Sequence, residues 1–262
     1  MKILGLDTAT SRAGIAIVDG ERVLAEARHD TSGRGADLLV AIDQVCRTAG
    51  VAPAALDAIA IGAGPGSFTG LRIGMATGKG IAFAAQRPLW AVSSLAALAG
   101  DAMQELANDQ LLVHADGVIC AVLDARRGEV FAGCFRHGVA LAPERVMAPA
   151  ELAPWVAEVV HAARATDAAR AADATRAADP EQAELTISFA GDAIDAHRDV
   201  LAALPAHGPW LATRTPSGQA VAWCALAGAH VDITRGGAPT YIRPSEAEVK
   251  YPDGVPGALR RR

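Results

Sequence analysis

The residues with the most chemical potential come early. Asp7-Thr8-Ala9-Thr10-Ser11 sets a carboxylate and three hydroxyls behind an apolar run, a composition that suits a turn facing a phosphate. Such a turn normally needs a glycine where backbone meets the ligand, because a Cβ crowds the approach, and here that position is Ala9. Asp7, Thr8 and Thr10 are the cofactor-binding candidates, and the same hydroxyls equally suit a plain turn. A second loop, Gly62-Ala63-Gly64-Pro65-Gly66-Ser67, could cradle an anion with its backbone N–H groups. It lacks the Gly-Lys-Ser/Thr of a phosphate-binding loop and the third glycine of a dinucleotide fingerprint. The more economical role is a turn that lets the next helix pack closely.

Other chemistries lack their residues. His29, His114, His137, His161, His197, His207 and His230 never recur at the i, i+4 spacing that holds a metal on one helix face, so a metallopeptidase has no ligand pair of that kind. Cys46, Cys120, Cys134 and Cys224 include no C-x-x-C and read as reduced thiols. No Gly-x-Ser-x-Gly elbow is present, and Gly66-Ser67-Phe68-Thr69-Gly70 has a different spacing. The expectation is no catalytic residue, no metal site and no cofactor of the chain's own.

The elements that position these loops follow from apolar periodicity. Strands are expected over 3–6, 14–18 and 23–28, the last two joined at Asp19-Gly20. A helix over 36–49 gathers Leu38, Leu39, Ile42, Val45 and Cys46 on one face. A strand over 56–61 leads into the glycine-rich loop, and Ser67 or Thr69 caps a helix reaching residue 86. A strand over 88–92 and a helix capped by Ser93 or Ser94 complete the set. The order β-β-β-α-β-α-β-α is one half of the duplicated actin-like ATPase architecture, an α/β fold of ribonuclease H-like type. A second half restarts with strands over 118–123 and 130–135, a helix over 150–160, strands over 186–190 and 210–212, and a helix over 217–229. This divides the chain into an N-terminal subdomain, 1–108, and a C-terminal subdomain, 109–262. The second carries an Ala/Arg/Asp-rich insertion near 161–184, where Arg164, Arg170 and Arg176 recur every six residues and no apolar stripe forms.

With 262 residues, 51% hydrophobic and 20% charged, the chain has ample material for a core. The net charge of −5 offers no basic stripe besides Arg260-Arg261-Arg262, so any RNA would be held mainly by another chain. No apolar run is long enough to span a bilayer and the start lacks a signal peptide's apolar stretch, which implies a soluble cytoplasmic protein without a membrane partner.

Gly70, Gly74, Gly78 and Ala82 recur every four residues along the helix after the loop. Three interior glycines weaken a helix by up to about 1 kcal/mol each relative to Ala unless another backbone comes close. That neighbour is either the chain's own sheet or a partner helix.

The run Ile61-Gly62-Ala63-Gly64-Pro65-Gly66-Ser67-Phe68-Thr69-Gly70-Leu71-Arg72-Ile73-Gly74 resembles the signature of the tRNA threonylcarbamoyladenosine biosynthesis protein TsaB family. The opening Ile3 to Thr10 and the late Pro239 to Glu248 resemble it too. The resemblance implies an actin-like pseudoenzyme: a scaffold and activator of the complex that adds a threonylcarbamoyl group to the adenosine 3′ of the anticodon in tRNAs reading codons that begin with A. Catalysis and metal belong to a TsaD-like paralogue, and a TsaE-like ATPase joins them. In the paralogue, metal-binding histidines follow the fifth strand; here that stretch is Val92-Ser93-Ser94-Leu95-Ala96-Ala97-Leu98. The resemblance also implies dimerisation through the N-terminal helices, with the paralogue or a second copy, so Leu38, Ile42, Val45, Gly70, Gly74, Gly78 and Ala82 become the expected interface. Contact with tRNA would come only through the complex. The alternative reading is an actin-like small-molecule kinase or ATPase, resting on Asp7 to Ser11 and the two halves.

Overall fold

The computed structural model describes residues 1–30, 35–109, 111, 117–173, 185–202, 204 and 208–243. The first half is built from β1 (Lys2–Asp7), β2 (Arg12–Asp19), β3 (Arg22–Asp30), α1 (Gly35–Ala49), β4 (Ala58–Gly62), α2 (Phe68–Ala85), β5 (Leu89–Val92) and α3 (Ser94–Asn108). β1 pairs antiparallel with β2 and parallel with β4, giving the strand order β5-β4-β1-β2-β3. Buried strands such as Ile3-Leu4-Gly5-Leu6, apolar on both faces, are what a sheet covered on two sides requires.

The second half repeats the plan with β6 (Val118–Arg126), β7 (Glu129–Arg136), β8 (Val139–Ala140), β9 (Arg145–Met147), α4 (Pro149–Asp173), β10 (Ile187–Ala190), α5 (Ile194–Leu201) and α6 (Gly218–Leu226). Its sheet runs β10-β6-β7-β8, again with an antiparallel first pair and a parallel β10–β6 pair. The position of a fifth strand is reduced to a single parallel bridge, Phe189–Trp210, instead of the strand expected over 210–212. The repeat of strand order defines the duplicated actin-like fold.

A second expected element changes. The helix expected over 150–160 runs on to Asp173 and so enters the insertion. Its first part buries Leu152, Trp155, Val156, Val159 and Val160, whereas His161, Arg164 and Thr166 are exposed; the backbone continues as helix because Ala and Arg favour it without needing a core face. The rest of the insertion, residues 174–184, and the tail with Arg260–Arg262 lie outside the described residues.

Packing crosses the 108/109 position. α3 packs on β6 and β7 of the second sheet, while α6 packs on β1, β2 and β4 of the first. In the same way β11 (Val231–Asp232) pairs with β5 and extends the first sheet from the far end of the chain. α6 comes very near the first sheet: a Cβ at Gly5 would lie 1.9 Å from the Gly218 carbonyl oxygen, so only glycine fits there.

Candidate functional site

α1 and α2 both pack on one face of the first sheet, in a core with Leu4, Leu6, Ile15, Ile17, Ile59 and Ile61. Leu38, Ile42 and Val45 belong to that core and are at most 4% exposed. Their shared apolar face, read above as a docking surface, is the inner face of α1. The glycine ridge is likewise turned inward. A Cβ at Gly70 would lie 2.1 Å from the Thr8 carbonyl oxygen, one at Gly74 2.1 Å from Thr8 Oγ1, and one at Gly78 2.7 Å from Ile61 Cγ2. Ala82 is buried beside them. The neighbours that demand small residues are the chain's own Thr8, just past β1, and Ile61 of β4, which corrects all seven interface positions.

The outward side of α2 is a different register. Ala76, Gly80 and Ala84 are exposed at a spacing of four, a Cβ at Gly80 would meet nothing within 4 Å, and Phe83 beside them is 79% exposed. On α1, Leu39 and Val40 are 52% and 69% exposed, so Leu39 leaves the apolar face expected to include it and points outward.

The turn at the end of β1 is satisfied internally. Asp7 is fully buried; Ser94 Oγ donates to its Oδ2 at 2.6 Å and the Ala9 N–H to its Oδ1 at 2.8 Å. Burial raises the Asp7 pKa, and those two hydrogen bonds and the more distant Arg28 guanidinium oppose the rise. Thr8 Oγ1 donates to the Gly70 carbonyl at 2.9 Å, and Thr10 Oγ1 to the Arg12 carbonyl at 3.0 Å. The Ala9 carbonyl accepts the Ser67 N–H at 2.7 Å, and a Cβ on Gly66 would sit 2.5 Å from that of Ala9. The two loops considered for phosphate are therefore docked on one another. In the second half, the turn Phe189-Ala190-Gly191-Asp192-Ala193 is equally engaged: Gly191 abuts the Val122 carbonyl and Asp192 Oδ1 accepts the Asp124 N–H at 2.8 Å. Burial raises the Asp192 pKa.

Between the halves lies an open cleft of about 680 Å³. Ala9, Thr10 and Ser11 border it, as do Gly66 and Ser67, but Asp7 and Thr8 do not. Its walls carry Phe68, Arg72, Arg126, Arg127, Tyr241 and Arg243. The Arg72 guanidinium lies 3.7 Å over the Phe68 ring and its Nε donates to Tyr241 Oη at 3.2 Å; the two rings are 5.2 Å apart. Arg126 is paired with Asp124 at 3.1 Å and Arg243 with Glu129 at 2.8 Å. Arg126 and Arg127 both adopt left-handed backbone, with φ of 63° and 58°, a conformation that costs an ordinary side chain about 1–2 kcal/mol. Sequence reading missed this wall, although Phe68 and Arg72 stand four apart on α2, a spacing that brings side chains together.

Among the described residues no group of three His, Cys, Asp or Glu is arranged to hold a metal ion, and no helix is long and apolar enough to cross a membrane.

Two sheets of matching strand order around a cleft define a protein of the actin-like ATPase class. The chain belongs to the family described as TsaD: tRNA N6-adenosine threonylcarbamoyltransferase, whose model matches residues 35–234, and it is similar to proteins named TsaB. The TsaB protein of Bacillus subtilis is 35% identical over 138 residues, 52% of this chain and 56% of that protein. The Escherichia coli TsaB protein is 33% identical over 131 residues, 50% and 53% of the two chains. The chain thus spans about half the length of these named relatives. The solved structure of YeaZ from Pseudomonas aeruginosa superposes with a TM-score of 0.65 at 27% identity, covering 92% of this chain and 99% of that one.

Proposed function

We propose that this chain takes part in forming threonylcarbamoyladenosine in tRNA, as a subunit that docks and activates a TsaD-like paralogue without turning over substrate itself. The names of its relatives support the pathway. One observation carries the non-catalytic role: the turn that would face a phosphate is closed against the glycine-rich loop, with Asp7 bound by Ser94 and Ala9 seated on Gly66. In this reading the paralogue holds the metal and transfers the group to the adenosine 3′ of the anticodon in tRNAs reading codons that begin with A. A TsaE-like ATPase joins the pair, and all of this takes place in the cytoplasm.

The docking face in this proposal is the outer side of α2 with the neighbouring part of α1. A ridge of Ala76, Gly80 and Ala84 lets a partner helix approach closely, and the exposed Phe83, Leu39 and Val40 supply apolar area. The same face also serves a second copy of the chain, so hetero- and homodimers compete for it.

The test is co-purification of the chain with the paralogue, followed by a threonylcarbamoyladenosine assay with and without the chain. Phe83→Glu should abolish both association and activation while leaving the thermal melt of the monomer unchanged. Association equal to wild type would refute the docking face. Tight ATP binding by the isolated chain, lost on Asp7→Ala, would instead establish the small-molecule kinase or ATPase reading.

A further inference from the structure

We infer that the cleft between the halves holds a short single-stranded stretch of RNA. The choice of RNA among polyanions rests on the proposed role in tRNA modification; the site itself rests on geometry. Four guanidinium groups, Arg72, Arg126, Arg127 and Arg243, line one opening, against the carboxylates of Asp124 and Asp192, on a chain whose overall charge is −5. Glu129, paired with Arg243, is the third carboxylate beside these four guanidinium groups, so this lip of the cleft carries a local excess of positive charge on an acidic chain.

The backbone of the β6–β7 hairpin favours a functional reading. Arg127-Gly128 occupies the two left-handed positions of its tight turn, and the tip of the β7–β8 hairpin does the same with His137-Gly138, so that turn alone signals nothing. Arg126 is the addition: a third consecutive left-handed residue, at a register shift between Asp124 and Arg126. Such bulges re-aim side chains, and this one sets an arginine, 76% exposed, at the lip of the cleft. Residues strained in this way cluster where a ligand is held.

The opposite wall supplies two aromatic rings, tilted 38° to one another. Phe68 and Tyr241 are 38% and 40% exposed, and Arg72 fixes both by stacking on one and donating to the other. Aromatic faces beside a row of arginines are the means by which single strands are bound through base stacking and phosphate contact. A mononucleotide seated in the manner of an ATPase is disfavoured by the same structure, since Ala9 and Gly66 fill the approach to the β1 turn.

The experiment uses the full chain without its paralogue, so that its result is independent of complex formation. Binding of a short fluorescein-labelled single-stranded RNA is followed by anisotropy across a salt series, for wild type, for the double variant Arg126→Asn/Arg127→Asn, for Tyr241→Ala and for Arg164→Asn on exposed α4. Asparagine tolerates left-handed backbone at least as well as arginine, so the double variant keeps the hairpin. Loss of two phosphate contacts should lower the slope of log affinity against log salt by about 1.4, and Tyr241→Ala should weaken binding by about fivefold or more. Arg164→Asn should bind as wild type. An unchanged slope in the double variant would overturn the inference, as would absence of binding at low salt, or polyphosphate competing as well as RNA with Tyr241→Ala unaffected. Failure to co-purify with the paralogue would count against the docking proposal alone.

Discussion

Gly74 packs directly against Thr8: a Cβ on the glycine would lie 2.1 Å from the threonine Oγ1, the same hydroxyl that donates to the Gly70 carbonyl. Two glycines on one helix thus have opposite predicted sensitivities. Gly74→Leu gains about 1 kcal/mol of helix propensity, but it must displace β1 and should lose about 3 kcal/mol or more. Gly80→Leu faces open space and should stabilise the monomer by about 0.5–1 kcal/mol while blocking partner association. Urea denaturation beside co-purification separates the two; equal loss of folding in both variants would contradict this assignment of inner and outer faces.

Asp7 should behave as a structural carboxylate. Asp7→Ala leaves Ser94 Oγ and the Ala9 N–H unpaired in a buried place and should cost about 2–4 kcal/mol. Asp7→Asn keeps the shape and removes a buried charge, so above neutral pH it should lie within about 1 kcal/mol of wild type. Chemical denaturation at pH 7.5 checks the order of the two; an alanine variant as stable as wild type would sink the prediction.

Asp101 gives a pH dependence of known sign. Its carboxylate accepts the Ser217 N–H and Oγ–H, each at 2.6 Å, and so holds the residue that caps α6, yet burial raises its pKa from 3.8 to about 6, against the opposing pull of those hydrogen bonds. The folded state therefore holds this proton more tightly than the unfolded one. The protonated, more favourable condition is complete below pH 3.8 and is lost as pH rises towards 6. At about 1.4 kcal/mol per tenfold change in the ionisation constant, the loss is bounded near 3 kcal/mol. Stability measured from pH 4.5 to 6.5 should fall in wild type relative to Asp101→Asn; parallel curves would exclude Asp101 as the cause.

Glu105 holds the segment that leads from the second half back to α6. Its carboxylate accepts the N–H groups of Ala212 and Thr213 and the Thr213 hydroxyl, at 2.6 to 2.8 Å. Glu105→Ala should destabilise by about 2–4 kcal/mol and raise hydrogen exchange at Ala212 and Thr213. Unchanged protection of those two amides would refute the anchoring role.

The first half was legible because its signals are local. Apolar runs gave β1 and β4, Asp19-Gly20 gave the hairpin, and Ser67 and Ser93 do cap α2 and α3, accepting the N–H groups of Gly70 and Ala96. What could not be read was direction. The spacing of Gly70, Gly74 and Gly78 states that something comes close but not what, and Leu38, Ile42 and Val45 describe an apolar face without naming its cover. β11 and the packing of α6 on the first sheet depend on contacts more than 100 residues apart in the chain, which periodicity does not record. The cleft wall was hidden for the same reason: Arg72 and Tyr241, a hydrogen-bonded pair, stand 169 residues apart.

The exchanged helices impose an order on synthesis. Ile3, Val18, Ala58, Ala60 and Val92 are covered by Ala220, Val221, Ala222 and Ala225, so one side of the first sheet stays bare until α6 has been made. From Val92 to Gly218 is 126 residues, and at about 5–20 residues per second of translation that interval is roughly 6–25 s. A nascent chain with five paired strands and an uncovered apolar surface is a substrate for chaperones throughout this period, and truncation before residue 218 would leave it in that state permanently.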